Sequence, residues 1–545
     1  MALSFAATAR TRPSIEKGVF VAAVLALLAL AVFVLYPTVK VLAYPPLPEY
    51  LQMFQRARWL TAAQNSAVIT ILSTVSATVV GFVFAFVSTR RDMPARRLFN
   101  IMGILPLFAP PFMVAFAYIL MFGRQGLITR EMLGLNLNIF GWHGLWLSQT
   151  IAFFPLSMTI IRGVLLGIHP SSEQASLTLG ATEWKALRTV TLPLALPGVI
   201  GAMLVVAITV LADFGNAVVI AGNYPLLATE AWFRMEGLAD LNGAAVVVAA
   251  LLIPTVALFL ASRYLTSRGS FTTVTGRGSD MDQIATPLLV KIVCIAICSL
   301  VSLLVVSLYI GILLAGLVEA WGRDWTLTLR HWGEALNYWP ALQTSIIASL
   351  LAAAVTALMG QILAFLNSRN VPFRNVLDFL AVLPGALPGV FVGVGFVLAF
   401  NAPPLQLGGT IWIIVIALGF WHLPLAYQGT VAAIAQVHKS IEDAARDLGA
   451  SELRLVKDVY VPLLSRSLIA SFLQAFIRSV SNISVVVFLV APGNIVVTFI
   501  ILQMIGGANW TGAAALTTFL LFITFICVGL GQLLAAWNAP RLRGV

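Results

Sequence analysis

Side chains that could carry covalent chemistry are sparse in this sequence and form no catalytic pattern. Its six lysines include none that follows a glycine, so the GxxxxGK phosphate-binding loop is missing. No HExxH motif, zinc-type Cys/His cluster or GxSxG motif occurs either. The cysteines Cys294, Cys298 and Cys527 all lie in apolar runs, where packing is their expected role. The sequence therefore predicts no catalytic residue, no metal site and no ATPase site, and nothing supports a membrane enzyme.

Two polar stretches of matching pattern are the candidates for a functional surface. Loop 1 (residues 169–193) reads HPSSEQASLTLGATEWKALRTVTLP, and loop 2 (residues 438–462) reads HKSIEDAARDLGASELRLVKDVYVP. The two align without a gap at a constant offset of 269 residues (438 − 169 = 269). In each loop a first helix is predicted to end at a glycine, Gly180 or Gly449, because glycine accepts the left-handed conformation of a helix stop. Each loop is therefore expected to form two helices with a sharp bend between them.

Matching cap residues support this prediction of two helices in each loop. The predicted positions, loop 1 before loop 2, are the first N-caps Ser171 and Ser440, the capping-box residues Gln174 and Asp443, the second N-caps Thr182 and Ser451, and Pro193 and Pro462 at the start of the next span. A rigid pair of protruding helices suits the docking of a partner protein. The alternative is an interfacial helix that touches only lipid headgroups.

Composition indicates the class of protein that carries these loops. Hydrophobic residues make up 60% of the chain and charged residues 10%, and the mean hydropathy is +0.97. Water cannot solvate such a surface, so the sequence predicts an all-α polytopic membrane protein in a lipid bilayer. Apolar runs of bilayer length number six in each half, near residues 19–41, 62–88, 98–122, 143–167, 194–213, 244–262, 289–317, 342–366, 376–400, 410–431, 463–490 and 513–536.

Basic residues set the predicted orientation. With the N-terminus on the cytosolic side, 22 of the 32 lysines and arginines fall in cytosolic segments and eight fall outside. This distribution agrees with the positive-inside rule, so both termini and both loops are predicted to be cytosolic. The net charge of +11 then belongs to the membrane surface, and no nucleic-acid partner is needed to explain it.

The internal repeat extends beyond the loops. The motif LPLFAP at 105–110 resembles LPGALP at 383–388. Each half has an even number of predicted spans, so the two copies are expected to enter the membrane with the same orientation, as a parallel repeat. The predicted domains are residues 1–263, a Gly/Ser/Thr-rich cytosolic linker at 264–286, and residues 287–545.

Polar residues inside the predicted spans are candidates for a translocation path. A charge at the centre of a bilayer costs roughly 2.5–3.5 kcal/mol on insertion scales, so Asp213 and Arg478 need a watery lining or a partner. Asn216, Ser481 and Asn482 lie close to them in sequence. These residues are predicted to line a path between the two halves. Polar contacts that only join helices, worth about 0.6 kcal/mol each, are the alternative.

The loops carry a resemblance to a known family. Glu-Ala-Ala, three residues, glycine and a run ending in Leu-Pro is the EAA loop of binding-protein-dependent ABC importer permeases. The matching positions are Gln174, Ala175, Gly180 and Pro193 in loop 1, and Asp443, Ala444, Gly449 and Pro462 in loop 2. Glu173 and Glu442 match each other beside the leading residue, and could supply an acidic contact in its place. The resemblance implies that these residues seat each loop in a groove of a cytosolic ATP-binding subunit.

The same resemblance implies a function. Two fused permease units are similar to the ferric-iron importer permeases, and the stretch at 212–237 looks most like that type. What this implies is a type I importer permease in a bacterial inner membrane, which translocates ferric iron delivered by a periplasmic or extracellular binding protein. The implied ATPase is a separate homodimeric subunit that holds ATP and Mg, and this chain itself binds no cofactor.

Two alternatives to ferric-iron import stay open. The same machinery could carry thiamine or an organophosphonate. A secondary transporter of twelve spans is the other reading, although a proton-driven carrier has no use for two docking loops. ATP dependence distinguishes an importer from such a carrier.

Overall fold

The structure is a computed structural model that describes residues 17–268, 284–369 and 371–537. Most of the predicted linker at 264–286 lies outside the described residues, as do Arg10 and Arg12, which contributed to the predicted orientation. The domain boundaries at 263 and 287 therefore stay predictions.

The described part of the first half consists of helices joined by turns and loops, without a β-strand. Its helices are α1 (Lys17–Leu30), α2 (Tyr36–Ala43), α3 (Leu47–Gln55), α4 (Ala57–Thr89), α5 (Arg96–Ile104), α6 (Pro111–Phe122), α7 (Trp142–Gly167), α8 (Pro170–Thr178), α9 (Glu183–Ala186), α10 (Leu192–Leu211), α11 (Gly215–Ile220), α12 (Leu227–Trp232) and α13 (Leu241–Arg268). A wider turn at Ala31–Leu35 joins α1 to α2, so the two act as one span.

The second half repeats this order and adds one β-hairpin. Its elements are α14 (Leu288–Ala315), β1 (Val318–Ala320), β2 (Asp324–Leu327), α15 (Arg330–Ala335), α16 (Trp339–Ser368), α17 (Arg374–Val382), α18 (Gly389–Phe400), α19 (Ile411–Trp421), α20 (Leu423–Ile434), α21 (Lys439–Asp447), α22 (Glu452–Leu455), α23 (Val461–Val480), α24 (Val497–Gly506) and α25 (Trp510–Trp537). The two strands pair antiparallel.

The predicted helical membrane fold is confirmed. Among the described residues, ten helical segments are long and apolar enough to cross a membrane, and the number reaches twelve if each of two bent pairs is one span. The first half contains six of these ten segments, whereas the second half contains four and reaches the predicted six only if both bent pairs are counted. One pair joins α17 to α18 at an angle of 113°, and the other joins α19 to α20 at 42°.

Prolines explain why the predicted spans at 98–122 and 376–400 are broken. Each run contains a short 3-10 turn, Leu105–Phe108 in the first half and Leu383–Ala386 in the second. These turns are the matching LPLFAP and LPGALP motifs. Proline has no N–H to donate and its ring clashes with the preceding helical turn, so an α-helix does not continue through these motifs.

The first span of each half packs against the other half. Phe33, in the turn between α1 and α2, lies 5.1 Å from Phe420 and 5.9 Å from Phe400, measured between ring centroids. In the opposite direction, the Tyr309 hydroxyl of α14 donates to the Leu105 carbonyl at 3.0 Å. The two halves are thus interlocked by exchanged helices. The sequence analysis did not predict this exchange.

Candidate functional site

The two loops have nearly the same backbone. Gly180 and Gly449 adopt left-handed conformations, with φ of +85° and +79°. After α8, the amide of Gly180 donates to the Leu177 carbonyl at 2.9 Å and that of Ala181 to the Ser176 carbonyl at 3.0 Å. The same two bonds end α21, at 2.9 and 3.0 Å. The predicted glycine stops are confirmed as a matched pair of Schellman-type helix ends.

The predicted first caps are wrong, whereas the second caps agree with the structure. α8 and α21 begin after His169 and His438, one turn or less before Ser171 and Ser440. In loop 1 the proline at 170 occupies the first helical position, and its fixed φ favours a helix start there. The His169 side chain accepts from the Ser171 amide at 3.3 Å. The caps of the following helices lie at Thr182 and Ser451, whose hydroxyls accept backbone amides at 3.3 and 3.4 Å.

The second helix of each loop is not a separate surface helix. In loop 1, Glu183–Leu211 forms one continuous helical segment, in which a wider turn at Leu187–Thr191 joins α9 to α10. In loop 2, α22, the turn Val456–Tyr460 and α23 follow one another in the same way. Pro193 and Pro462 directly follow these wider turns, so they lie within the continuous helical segments and not at a separate helix start. Movement of either loop is therefore coupled directly to a membrane span.

Glu173 fastens loop 1 to the rest of the protein. Arg90, just after α4, donates to both Glu173 carboxylate oxygens, at 2.7 and 2.5 Å. The Thr191 hydroxyl donates to the same carboxylate at 2.5 Å. Glu173 is only 3% exposed. Its carboxylate therefore points inward, which corrects the expectation that it could offer an acidic contact to a partner.

Glu442 occupies the equivalent position in loop 2, with a more accessible network. It accepts from Arg369, from the Tyr460 hydroxyl at 2.9 Å and from Arg446 at 3.0 Å. Arg369 and Arg446 also pair with Glu452. The Glu442 side chain is 17% exposed and that of Arg446 is 44% exposed. Glu442 is thus engaged by its own chain as well, although less completely than Glu173.

The Arg90–Glu173 and Arg369–Glu442 pairs were missed by the sequence analysis. There, Arg90 and Arg369 counted only as basic residues on the cytosolic side. The signal was present, because Arg90 and Arg369 each follow the second span of their half, and the two glutamates match at the 269-residue offset. Arg90 and Glu173 are 83 positions apart, and the spacing rules for a single helix do not apply over that distance. Only the folded structure shows that they pair.

The pKa of Glu442 provides a test of the loop 2 network. Partial burial alone raises this pKa, but hydrogen bonds from Arg369 and Tyr460 outweigh burial and hold it below its usual value. A carboxylate with a lowered folded-state pKa stabilises the fold above its unfolded pKa, about 4.3, and loses that effect as the pH falls through the folded value. We expect hydrogen-exchange protection of α21 to decrease below about pH 4.3. Glu442→Gln should flatten this dependence; an unchanged pH profile in that variant would show that another group titrates.

A matched pair of leucines forms the most exposed apolar feature of the loops. Leu179 is 88% exposed and Leu448 is 89% exposed, each immediately before the glycine that ends its helix. Ala175, Asp443 and Ala444 are also exposed. A single exposed apolar residue is common on protein surfaces, but the recurrence of the same residue at equivalent positions of the repeat makes Leu179 and Leu448 candidates for a contact to another protein.

Asp213 is buried in an amide network at the end of α10. Its carboxylate accepts from the Gln149 side chain and the Asn216 side chain at 3.0 Å each, and from the Asn216 amide at 3.2 Å. In the second half, the Asn482 side chain accepts from the Val485 amide at 3.0 Å. Residue 482 is the equivalent of residue 213 at the repeat offset (213 + 269 = 482). Both residues therefore cap the turn after their span, and Asp213 and Arg478 are not equivalent positions.

The candidate path residues lie where the two halves meet. The rings of Phe214 and Phe488 are 6.2 Å apart, and Gly215 lies against Ile483. Asn216 is fully buried, and Ser481 is 8% exposed with its hydroxyl donating to the Ile477 carbonyl at 2.7 Å. Most of the predicted polar residues are thus at the boundary, where Asp213 and Asn482 have a structural role as caps.

Among the residues that the structure describes, no group of three or more His, Cys, Asp or Glu side chains is placed to hold a metal ion. The arrangement instead combines two matched protruding loops, spans that continue from them, and a polar boundary between two halves. It defines a membrane permease of duplicated architecture.

Comparison with known proteins assigns the family. The chain belongs to the family described as "Binding-protein-dependent transport system inner membrane component", which matches residues 77–269 and 356–544. The chain is therefore a multi-pass inner-membrane permease subunit of an ABC importer. The two matched segments confirm the predicted tandem repeat.

Two relatives and one solved structure show how similar this chain is to individual proteins. The "Ferric transport system permease protein FbpB" of Actinobacillus pleuropneumoniae is 29% identical over 530 residues, which cover 93% of this chain and 77% of that protein. A putative FbpB 1 of Haemophilus influenzae is 29% identical over 497 residues, 87% of this chain and 78% of that protein. A bacterial alginate ABC transporter structure aligns over 47% of this chain and 96% of its own with a TM-score of 0.40 and 14% identity.

Proposed function

We propose that this chain is the transmembrane permease subunit of an ATP-driven ferric-iron importer. Two copies of one cytosolic ATP-binding subunit, which hold ATP and Mg, dock on loop 1 and loop 2. A binding protein on the outer side delivers the substrate. Both termini lie in the cytosol, and the chain contributes no cofactor of its own.

The matched leucines support the docking part of this proposal most directly. Leu179 and Leu448 are almost fully exposed at equivalent positions, which gives two identical partner grooves one apolar contact each. Around each leucine lie further coupling candidates, Gln174, Ala175 and Gly180 in loop 1 and Asp443, Ala444 and Gly449 in loop 2. Because α10 and α23 continue from the loops, closure of the ATP-binding subunits would move these spans.

The substrate assignment rests on similarity to proteins named as ferric transport permeases. A second candidate is an organophosphonate, since a permease named for 2-aminoethylphosphonate transport is 28% identical over 235 residues. The observation that favours this second candidate is Arg478, because its positive charge within the membrane suits an anionic substrate.

Uptake into proteoliposomes tests the proposed function. We expect radiolabelled ferric iron to enter vesicles that hold the permease and its ATP-binding subunit only when ATP is inside and the loaded binding protein is outside. Parallel assays with thiamine and 2-aminoethylphosphonate identify the substrate. Uptake driven by a proton gradient without ATP would instead indicate a secondary transporter and contradict the proposal.

A further inference from the structure

One side of α23 is polar although the helix spans the membrane. Arg466, Gln474 and Arg478 recur on it at intervals of eight and four residues, and all three side chains are exposed. Such a surface is costly against hydrocarbon, which favours polar surroundings for this side of α23 over lipid tails. The equivalent positions of α10 are uncharged, namely Pro197, Val205 and Thr209.

Arg478 is a cation without a counter-charge. Protein atoms surround it on most sides, yet its side chain remains exposed. Within the described part of the chain it makes no hydrogen bond or ion pair, and no carboxylate lies close enough to neutralise it. The Asp213 carboxylate, which lies at the boundary between the halves, accepts its hydrogen bonds from amide donors instead.

Two further polar groups near Arg478 lack partners. His422, at the bend between α19 and α20, is 7% exposed and close enough to Arg478 for their charges to interact. Its Nε2 atom is buried and, among the described residues, has no hydrogen-bond partner. The same holds for the hydroxyl of Ser479, the residue after Arg478. An imidazole N–H and a hydroxyl can each donate one hydrogen bond to an oxygen ligand.

We propose that Arg478, together with His422 and Ser479, forms a binding station for anionic oxygens of the translocated substrate. This rests on the proposed import function and restricts its substrate class. A guanidinium matches the geometry of carboxylate and phosphate groups, whereas its fixed charge repels a bare ferric cation in a poorly screened space. The substrate at this station is a ferric ion that retains anionic oxygen ligands, or an oxyanion itself. The equivalent positions in the first half, Thr209 and Phe153, cannot form a second station.

Inorganic phosphate serves as the probe for binding. The permease with its ATP-binding subunit is kept in maltoside detergent, which contains no phosphate, and thermal unfolding is followed during titration against chloride of equal ionic strength. We expect saturable stabilisation by phosphate that Arg478→Gln weakens about tenfold, the effect of losing one charged hydrogen-bond donor. Arg478→Lys should retain part of it, and Thr209→Val, at the equivalent position, should retain all of it. No saturable response in the wild type, or an equal response in Arg478→Gln, would overturn the station.

Uptake of radiolabelled iron from its loaded binding protein tests whether the substrate uses this station. Arg478→Gln is expected to lower the uptake rate about tenfold while ATP hydrolysis stays stimulated by the binding protein. Unchanged or faster iron uptake would refute the role of the station in transport even if phosphate binding were lost. If wild-type vesicles take up no iron but do take up 2-aminoethylphosphonate in an Arg478-dependent way, the ferric assignment fails and the oxyanion station stands.

Discussion

Replacing Leu179 and Leu448 together by aspartate is expected to release the ATP-binding subunits from the permease. Both side chains are almost fully exposed, so the change does not disturb the packing of the permease itself. Burying a leucine against an apolar groove contributes about 2 kcal/mol, which corresponds to roughly thirtyfold in affinity at each loop. Since the two loops bind one assembled pair of subunits, their effects multiply, to roughly thousandfold in the double variant.

Co-purification and ATP hydrolysis measure this release. The double variant should insert normally, elute as a folded permease without bound ATP-binding subunit, and show no hydrolysis stimulated by the binding protein. Leu327→Asp is a matched control, since Leu327 is 78% exposed in the β-hairpin, remote in sequence from both loops. Retention of the ATP-binding subunit by the double variant would contradict the docking role of these leucines.

Local sequence signals predicted the features of the loops that depend on few residues. The stops at Gly180 and Gly449 follow from the conformational freedom of glycine, and the second caps follow from hydroxyl groups next to helix starts. In loop 1 the first cap failed because the proline at 170 started α8 before Ser171, whereas α21 starts equally early at Lys439 without a proline. The break at LPLFAP and LPGALP was visible as a repeated proline motif, although it was read as part of a continuous span.

Features that depend on chain crossings could not be predicted in this way. The contact of Phe33 with Phe420 joins residues almost 400 positions apart, and hydrophobic periodicity gives no partner for either ring. The Arg90–Glu173 ion pair could not be predicted for the same reason, because its two residues are far apart in the sequence. The sequence of a spanning helix shows whether one of its faces is polar. It does not show which neighbouring helix packs against its apolar faces.

The buried pair in loop 1 provides the second large expected effect. Glu173→Gln leaves the Arg90 guanidinium buried without a counter-charge, and breaking a buried ion pair in this way typically costs about 3–5 kcal/mol. We expect a marked fall in the unfolding temperature and a loop 1 that no longer transmits movement to α10. ATP hydrolysis should then continue while uptake is lost, because the subunits still contact Leu179.

The matched change Glu442→Gln separates this effect from a general requirement for an acidic residue. In Glu442→Gln, Arg369 keeps Glu452 as a partner and Arg446 reaches solvent. The loss of stability in Glu442→Gln should therefore be clearly smaller than in Glu173→Gln. Arg90→Met combined with Glu173→Leu removes both buried charges and should recover much of the unfolding temperature, since apolar residues of similar volume often replace a buried ion pair without loss. Equal losses in Glu173→Gln and Glu442→Gln, or no recovery in the paired variant, would show that the buried charge pair is not what holds loop 1. If recovery of stability comes without recovery of uptake, the pair has a further role in coupling, because the loop is then folded but no longer joined to α4 and α10 through one carboxylate.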